Sequence, residues 1–582
     1  MNKIVDMKRP DPILDERAAF SKLWSDESLA LDLETTGTNA FSDSVRVLSI
    51  RGEPSGTVAV LHYPEGLSDL AVRFLSRPIA VIGHAIGMFD RLFCSVAGVN
   101  VSRWNVYDTL VGEQVVSIEG RSSVRGGGPR NSLQASVLRR LGWTIDKSVD
   151  HADWDSGAPL SHGQLIYCVD DVLYLHDLMR AQRRCADARQ VMAALDVEMK
   201  LLPIVSDMTL RGIPVDVEKG IQLMHQRQAR ITAAEERLPE GHNWNSPAQV
   251  KKVIAERTGI SLANAQASTL QKAADSLSGE QAALVKDIFT VRQLRNAESK
   301  WGEKFFANHV IDGATHPLYW QCHADTTRFS ASRPPVQQIN RDPLIRGMFG
   351  GEGITISADY SQIEVRVAAV LSQDDALLSA MDSGDDLHSE IANLLFGEGF
   401  SSEQRKLAKA CSFALLFGGG WRALYQNAVN SGSQITTSEA QRTFTTFFKT
   451  FTGLRDMRVW AQRRAQQRLD LDITLRSGHV RRLSSKGTPR TLTSTRCLNT
   501  PVQGNAGAIL KAGMLRCVEA GIDQYLSIQM HDELVLCRVP RTSVDDVSAA
   551  LRAAMLQGSR DLFPEMSVEV EIASGIYWGD GE

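Results

Sequence analysis

Two aspartates in the C-terminal part of the chain stand where a metal site could form. Asp359 lies near the end of the strand-like run ITISADY, and Asp532 lies at the turn between two apolar runs in YLSIQMHDELVLCRV. An aspartate in either place is commonly a turn former. The apolar flanks nevertheless predict that both carboxylates lie at the tips of central strands. Magnesium binds such carboxylates together with substrate phosphates, and two ions can hold both oxygens of an in-line displacement.

A stripe of cations and aromatic rings follows along the chain in RKLAKACSFALLFGGG. Spacing of four residues predicts that one face of a helix carries Arg405, Lys409, Phe413 and Phe417. The first cation and the first ring would lie about 12 Å apart, and the glycines would end the helix. The cations suit a triphosphate and the ring suits a base, although an amphipathic helix with snorkelling cations would show the same pattern.

A second set of carboxylates lies in the N-terminal third. Asp32 and Glu34 in LALDLETTG are two residues apart, so on a strand they share one face. Asp90 begins a predicted helix in HAIGMFDRLF, and Tyr167 and Asp171 lie one helical turn apart in YCVDDVLYLHDL. Any of these acids alone is more commonly a surface charge. Together, four carboxylates and a tyrosine that can orient water predict a second two-metal centre, suited to hydrolysis.

Length and composition bound the classes of protein. The 582 residues exceed one compact domain, and 43% hydrophobic with 23% charged residues is typical of a soluble, well-cored protein. No run reaches the roughly 20 apolar residues of a membrane helix, and the N-terminus lacks a secretory h-region. The eight cysteines form no CxxC pair, which argues against a zinc module or disulfide scaffold and favours a reducing cytoplasm.

Charge is unevenly distributed along the chain. The net charge of −4 argues mildly against a nucleic-acid partner. Residues 455–468 hold five arginines and one aspartate, and residues 476–496 hold no acid. The basic residues of the second run are Arg476, Arg481, Arg482, Lys486, Arg490 and Arg496. Solvated faces would explain both runs equally well, but an acidic centre between basic walls would make net charge a poor guide.

Local patterns divide the chain into regions. Residues 1–185 carry the strand-like runs LALDLETTG, VRVLSI, TVAVLHY and IAVIGH, which indicates an α/β unit. Residues 191–232 are helical in pattern with a break at RGIPVD, and 245–310 hold further helices. From about 318 the pattern gives a strand, a long helix-rich stretch and a hairpin near 525–539. The fold class predicted is α/β plus α+β, in several domains.

The C-terminal motifs resemble those of a known family. SADYSQIEVR, the stripe RKLAKACSFALLFG and MHDEL, in this order, look like the three signature motifs of family A DNA polymerases. TTRFSASRPPVQQIN and LNTPVQGNAGAILK resemble that family's primer-template elements, and RGIPVD and NWNSPAQV resemble its thumb. These matches cover nearly the whole chain after residue 195. The resemblance implies a right-hand polymerase with thumb, palm and fingers.

The resemblance also implies roles for individual residues. Asp359, Asp532 and the carbonyl of Tyr360 would bind the metals, with Glu533 as an auxiliary acid. Lys409 would grip the triphosphate and donate a proton to the leaving pyrophosphate. The other nucleotide contacts implied are Arg405, Phe413, Phe417, Gln362 and Glu364, of which the last would exclude a 2′-hydroxyl and select deoxyribose. The implied contacts to primer-template DNA are Arg328, Asn499, Gln503 and His531.

The N-terminal constellation resembles the DEDDy proofreading exonucleases of the ribonuclease H-like fold. The resemblance rests on Asp32, Glu34, Asp90, Tyr167 and Asp171, and on the connecting segment RNSLQASVLRRLGWTIDKS. It implies 3′-5′ exonuclease activity, with the four carboxylates as metal ligands. The Tyr-x-x-x-Asp spacing selects the second aspartate of the pair 170–171.

Four residues depart from the two family patterns. Phe417 stands where most polymerases have tyrosine, and Phe413 predicts poor use of dideoxynucleotides because its ring has no hydroxyl. Arg496 is one residue closer to the next motif than in bacterial members, so no role is carried over to it. Ala85 replaces an asparagine of the exonucleases, which predicts an active but weaker exonuclease.

We therefore expect a template-directed DNA polymerase with proofreading. The expected domains are the exonuclease at 1–190, the thumb at 191–325, the palm at 326–375 and 497–582, and the fingers at 376–496. The expected cofactors are two Mg²⁺ ions per active site, with Mn²⁺ as a substitute. The expected partners are primer-template DNA and dNTPs, without a membrane, for a cytoplasmic monomer in a bacterial or phage-infected cell. The sequence names no processivity factor.

The sequence also bears on the origin of the protein and on three alternative functions. The family's 5′-nuclease domain is not expected here, and this compactness suggests a phage or prophage replicase. A ribonuclease D-like RNA-processing enzyme with a vestigial C-terminal half is disfavoured by Asp359, Lys409 and Asp532. A non-catalytic DNA-binding protein is disfavoured because two sets of metal ligands are intact. Glu364 and the exonuclease region disfavour an RNA polymerase.

Overall fold

The computed structural model describes residues 9–118, 131–145, 154, 158–322, 324–382, 387–416, 418–430, 433, 435–467, 469–485 and 491–581. The chain forms two compact units, each built from three segments of sequence. Unit 1 comprises Met1–Gly212, Pro317–Arg333 and Leu469–Leu492. Unit 2 comprises Ile213–His316, Pro334–Arg468 and Thr493–Glu582.

The strands of the described residues are numbered in chain order. They are β1 Ser28–Thr35, β2 Val45–Glu53, β3 Val58–His62, β4 Ile79–Gly83, β5 Trp104–Asp108, β6 Ile213–Pro214, β7 Val310–Ile311, β8 Ala314–Thr315, β9 Leu318–Trp320, β10 Ser330–Ser332, β11 Gly350–Tyr360, β12 Leu471–Thr474, β13 Val480–Leu483, β14 Leu526–Met530, β15 Glu533–Val539 and β16 Val570–Tyr577.

The α-helices are numbered in the same way. They are α1 Glu16–Leu23, α2 Asp69–Leu75, α3 Asp90–Val96, α4 Thr109–Val116, α5 Leu133–Leu141, α6 His162–Leu173, α7 Leu175–Ala188, α8 Met192–Arg211, α9 Val217–Glu235, α10 Pro247–Thr258, α11 Ala267–Asp275, α12 Gly279–Trp301, α13 Glu303–His309, α14 Pro343–Arg346, α15 Ile363–Ser372, α16 Asp375–Asp382, α17 Leu387–Phe396, α18 Ser402–Leu416, α19 Trp421–Asn430, α20 Thr437–Thr450, α21 Thr452–Gln467, α22 Ser494–Glu519 and α23 Val544–Leu562.

Unit 1 is built on a five-stranded mixed sheet with the order β3-β2-β1-β4-β5. Central strand β1 pairs antiparallel with β2 and parallel with β4. Its leucines at 29, 31 and 33 enter the core on one face, and Ala30 enters the core on the other. The four strand-like runs of the sequence are confirmed as β1 to β4. Because side chains alternate along β1, its two acids lie on one face of the sheet.

Two short β-structures from later in the chain complete unit 1. Strands β9 and β10 form an antiparallel ribbon, and β12 and β13 form an antiparallel hairpin. Helix α8 ends at Arg211, and Gly212 follows with φ 65°, which confirms the helix break expected at RGIPVD. A positive φ at this point is readily adopted by glycine, so the residue type explains where the helix stops.

Unit 2 contains a four-stranded antiparallel sheet with the order β14-β15-β11-β16. Helices α22 and α23 pack against each other, and α23 also packs against β11 and β16. The expected strand at ITISADY and the expected hairpin near 525–539 are confirmed as β11 and β14–β15. Helices α9 to α12 enclose a separate apolar core in the same unit. Because the hairpin pairs with β11, its turn lies beside the end of that strand.

The second basic run does not form one continuous solvated face. Arg481 is buried, and the guanidinium of Arg482 donates to both carboxylate oxygens of Asp472 at 2.7 Å. Lys486 and Arg490 lie outside the described residues. Arg481 and Arg482 therefore have partners within the protein and do not form a solvated basic face. Within the described residues, no helix combines the length and apolar composition that a bilayer crossing requires.

Candidate active sites

Three acids of unit 1 converge on one point. Asp32 and Glu34 project from β1, and Asp171 projects from α6, which packs on that strand. One carboxylate oxygen from each lies within 4.8 Å of the others. Strand alternation sets the first pair, and helical spacing sets the third. Three carboxylates this close repel one another unless a cation lies between them, which is the arrangement a divalent metal ion favours.

Tyr167 lies one helical turn before Asp171 and lines the same cleft. Burial raises its pKa, and the charges of Asp171 and Glu34 raise it further. The phenol therefore stays protonated at neutral pH and keeps its O–H as a hydrogen-bond donor. A donor beside three carboxylates can orient a water molecule for attack on a phosphodiester.

Asp90 is placed differently from the other expected metal ligands. It begins α3, is almost fully buried, and accepts a 2.9 Å hydrogen bond from the backbone N–H of Leu33. Burial, followed by the charges of Asp108 and Asp171, raises the pKa of its carboxyl to about 8. The structure thus brings Asp90 against the strand that carries the first two acids, but does not include it in the group of three.

A further aspartate, Asp108, supports this site and was missed by the sequence analysis. It ends β5 and accepts from the backbone N–H groups of Ala85 at 3.0 Å and Gly87 at 3.2 Å. It also accepts from Leu110 as the N-cap of α4, and an Asp before a helix start is the signal that could have found it. The loop that leads to Asp90 is fixed in this way, with Ala85 at φ 65°.

The neighbouring acids 170 and 171 have separate environments. Asp170 is 1% exposed, and its two oxygens accept from the guanidinium of Arg9 at 2.7 and 2.9 Å. Asp171 lies with the other two acids. The choice of Asp171 from its spacing after Tyr167 agrees with this geometry.

The three acids lie at the wall of a cleft of about 1030 Å³ within unit 1. The β9–β10 ribbon, with Trp320, and Arg333 just after it form another part of the lining. A cleft of this size is at the upper end of small-ligand sites and can hold a nucleotide rather than a single small metabolite. An aromatic ring and a guanidinium are the groups that bind a base and a phosphate.

The second candidate site lies at one end of the sheet of unit 2. Asp359 is the penultimate residue of β11, and Asp532 lies in the two-residue turn between β14 and β15. Asp359 is in register with Glu533, and the backbone N–H of Tyr360 donates to the carbonyl of Asp532 at 3.3 Å. The pairing of these strands therefore places the two aspartates side by side, although 173 positions separate them in sequence.

The environment of Asp359 fits a cation. Burial, followed by the charges of Asp532 and Glu533, raises the pKa of its carboxyl to about 8. Its Oδ2 accepts from Arg341 at 3.2 Å, whereas its Oδ1 is buried and has no hydrogen-bond partner among the described residues. Buried polar atoms are normally partnered. An unpartnered oxygen beside a second carboxylate would be satisfied by a divalent ion.

Glu533 is held by the protein interior. Its Oε1 accepts from the indole N–H of Trp578 at 2.8 Å, and its Oε2 lies 3.5 Å from Arg346. Both oxygens thus contact side chains of unit 2. In this geometry Glu533 positions the turn that bears Asp532.

The residues around the two aspartates are set by backbone geometry. The ring of Tyr360 is buried, and its hydroxyl donates to the carbonyl of Met555 at 2.6 Å, so only its backbone is available near the site. Gln362 takes a left-handed conformation and starts α15, which carries Glu364 in its first turn. His531 also has a positive φ and is exposed at the β14–β15 turn.

The remaining expected contacts lie on helices and on one loop. Arg405 and Lys409 are exposed one turn apart on α18, and Arg405 donates to Ser389 at 3.0 Å. Asn499 and Gln503 lie one turn apart on α22. Arg328 belongs to unit 1 and precedes β10. The side chain of Phe413 and the whole of Phe417 lie outside the described residues.

Comparison with known proteins decides the family. The family model for family A DNA polymerases matches residues 217–580, which is more than half of the chain. The chain belongs to this family. A model for 3′-5′ exonucleases matches residues 13–183. This family A polymerase therefore carries an exonuclease domain ahead of its polymerase region, and the family and fold class expected from the motifs are confirmed.

Three relatives with sequences similar to this family A polymerase are DNA polymerases I of bacteria. DNA polymerase I of Aquifex aeolicus is 28% identical over 97% of each chain. DNA polymerase I of Pseudomonas aeruginosa is 27% identical over 97% of this chain and 65% of its own length, and that of Chloroflexus aurantiacus is 28% identical over 70% and 45%. The chain thus spans nearly all of one relative and about half to two thirds of the others.

A solved structure shows the same fold. The polymerase domain of Pol1 from M. smegmatis, in complex with DNA primer-template and dNTP, superposes with a TM-score of 0.77. It covers 98% of this chain and 99% of the solved one, at 21% sequence identity. At that identity the likeness establishes the fold of this family A polymerase and leaves the roles of individual residues as predictions.

Proposed function

We propose that the chain adds dNTPs to a primer 3′ end by a two-metal mechanism and removes mismatched ends at a second two-metal site. The observation that carries the proposal is the buried, unpartnered oxygen of Asp359 beside Asp532. A labelled primer-template with magnesium tests it in one gel. Extension is expected with dNTPs and shortening without them; a primer that stays unchanged in both lanes would contradict the proposal.

In the polymerase site the protein supplies charge and position. Asp359, Asp532 and the carbonyl of Tyr360 would hold Mg²⁺, or Mn²⁺ in its place, and the ions would neutralise charge on the transferring phosphoryl group. Arg405 and Lys409 would bind the triphosphate, with Lys409 holding the proton for the departing pyrophosphate. Their exposure on α18 supports this role, because a charged ligand must reach them from solvent.

In the exonuclease site the protein orients the attacking water. Asp32, Glu34, Asp90 and Asp171 would hold metal ions, and the ions would lower the pKa of bound water. The protonated hydroxyl of Tyr167 would direct that water at the terminal phosphodiester. The cleft beside them would hold the frayed primer end.

The same proposal includes the subdomains of the polymerase region and the residues that contact DNA. We take residues 191–325 as thumb, 326–375 and 497–582 as palm and 376–496 as fingers. Arg328, Asn499, Gln503 and His531 would contact primer-template DNA. The chain would act as a monomer, and as a replicase of a phage or prophage. The relatives described above are DNA polymerases I of bacteria, so the phage or prophage origin is a proposal that they do not support.

The raised pKa of Asp359 gives a pH-dependent stability in the absence of metal. The unfolded carboxyl ionises near pH 4, while the folded one has a pKa of about 8. Between these values the folded chain keeps a proton that the unfolded chain has lost, so the free energy of unfolding falls as pH rises. In EDTA, Tm should fall between about pH 5 and pH 8, and less so in Asp359→Asn. Magnesium should raise Tm more at the higher pH. A Tm difference between the unsubstituted chain and Asp359→Asn that stays constant with pH in EDTA would contradict this account of Asp359.

Glu364 gives a prediction on sugar selection. Its place in the first turn of α15, beside the end of β11, supports its role as the group that excludes a 2′-hydroxyl. Glu364→Ala should raise the efficiency of ribonucleotide incorporation by about two orders of magnitude relative to deoxynucleotide incorporation, because a steric clash is removed. Single-nucleotide kcat/KM values for rNTP and dNTP measure it. An unchanged ratio of the rNTP and dNTP kcat/KM values would show that Glu364 does not exclude the 2′-hydroxyl.

A further inference from the structure

A second cluster of metal-ligating side chains lies in unit 1. It consists of Glu198 on α8, Cys322 just after β9, and His479 just before β13. These residues are 0%, 3% and 1% exposed. One donor atom from each lies within 4.8 Å of the others. The three come from the three separate segments of sequence that build the unit.

The spacing of the donor atoms suits a small tetrahedral ion. Glu198 Oε1 lies 3.0 Å from His479 Nε2, and Cys322 Sγ lies 3.9 Å from the same nitrogen. Zinc bonds of 2.0 to 2.3 Å at tetrahedral angles would separate such donors by about 3.3 to 3.6 Å. These two separations lie within a few tenths of an ångström of those values, and the third pair of donors lies within 4.8 Å.

Neighbouring groups direct the donors toward one another. Ser477 Oγ lies 2.9 Å from Nδ1 of His479, which leaves Nε2 as the ligand atom. The side-chain amide of Gln321 donates to Glu198 Oε2 at 2.9 Å and to the Glu198 carbonyl at 2.8 Å, which leaves Oε1 facing the imidazole. Outer hydrogen bonds of this kind orient the ligands of metal sites in proteins.

The alternative is a closed network of hydrogen bonds without metal. In that network Glu198 would accept from His479, and the buried guanidinium of Arg481 would balance its charge. Arg481 also hydrogen-bonds to Cys322. The two arrangements differ in whether an ion is bound, so the metal content of the isolated chain distinguishes them.

We propose that Glu198, Cys322 and His479 bind one Zn²⁺ ion, with a water as fourth ligand. Thiolate and imidazole suit zinc, whereas magnesium takes oxygen ligands, so this site would discriminate against the ion of the two active sites. The ion would fasten the β12–β13 hairpin and the segment after β9 to α8. Isolated cysteines in the sequence had argued against a zinc module; the proposed site uses one of them with ligands from distant segments.

The test uses the full chain and a signal that carboxylate sites cannot give. Zinc content of the chain isolated without added metal is measured by plasma mass spectrometry, and the expected result is one zinc per chain. After chelation, Co²⁺ is titrated in, and a thiolate-to-cobalt absorption band should saturate at one equivalent. Absence of zinc together with absence of that band would overturn the proposal, whether or not the chain extends primers.

Substitutions of the proposed ligands test whether the zinc binds at this cluster. Cys322→Ala and His479→Gln should lose both the zinc and the band, while Cys517→Ala, at an equally buried cysteine of unit 2, should keep both. Added zinc should raise Tm of the chelated chain but not of Cys322→Ala, because a ligand stabilises only the state that binds it. Zinc and a full thiolate band in Cys322→Ala would also overturn the proposal. The spectrum of the unsubstituted chain decides the matter if a variant fails to fold.

Discussion

Asp532→Ala is expected to lower the rate of primer extension by about a thousandfold or more, because charge at the transferring phosphoryl group is left unneutralised. The turn that bears this residue is exposed enough to tolerate alanine, so the chain should still fold. Shortening of the same primer without dNTPs should persist, since the exonuclease acids belong to unit 1. Single-turnover extension with a labelled primer measures the loss.

A matched substitution controls for the loss of one acid. Asp546 is exposed in the first turn of α23, and Asp546→Ala removes the same charge and atoms. Its extension rate should stay within about twofold of the unsubstituted chain, as is usual for surface changes. Near-normal extension by Asp532→Ala would show that Asp532 is not a catalytic metal ligand. The unpartnered oxygen of Asp359 would then need a different explanation.

Asp171→Ala is expected to reduce primer shortening by about a thousandfold while extension continues. It removes one of three carboxylates that converge within 4.8 Å, so the metal ions would lose a ligand. Mismatched primer ends should then persist and be extended slowly. The readout is loss of label from a 3′-terminal mismatch in magnesium without nucleotides, followed over single turnovers.

The adjacent acid provides the control for this prediction. Asp170→Asn leaves the three converging acids intact but weakens the pair with Arg9. We expect Asp170→Asn to lower stability by about 1 to 3 kcal/mol, measured by urea unfolding, while shortening stays within a few-fold of normal. If Asp170→Asn lost primer shortening and Asp171→Ala kept it, Asp170 rather than Asp171 would be the metal ligand.

Local periodicity explains why part of both sites could be predicted from the sequence. Two-residue alternation on β1 places Asp32 and Glu34 on one face, and four-residue spacing on α6 places Tyr167 with Asp171. The apolar runs around Asp532 likewise predicted a hairpin, which the structure confirms as β14–β15. Each of these features depends on a few consecutive residues.

Features that depend on distant segments could not be predicted in this way. Asp108 supports a loop more than twenty residues earlier in the chain, and only its position before a helix gives a local signal. The cluster of Glu198, Cys322 and His479 has no local pattern, because its members meet only through the packing of three segments. The basic run at residues 476–496 also could not show which of its side chains are exposed, because the burial of Arg481 depends on tertiary contacts.

The interleaving of the two units fixes an order of assembly during synthesis. The hairpin segment Leu469–Leu492 completes unit 1, yet it leaves the ribosome only after Ile213–His316 and most of Pro334–Arg468. Unit 1 is therefore complete only after its last segment has emerged, and unit 2 only after Thr493–Glu582 has emerged. For the same reason, no single cut of the chain separates unit 1 from unit 2.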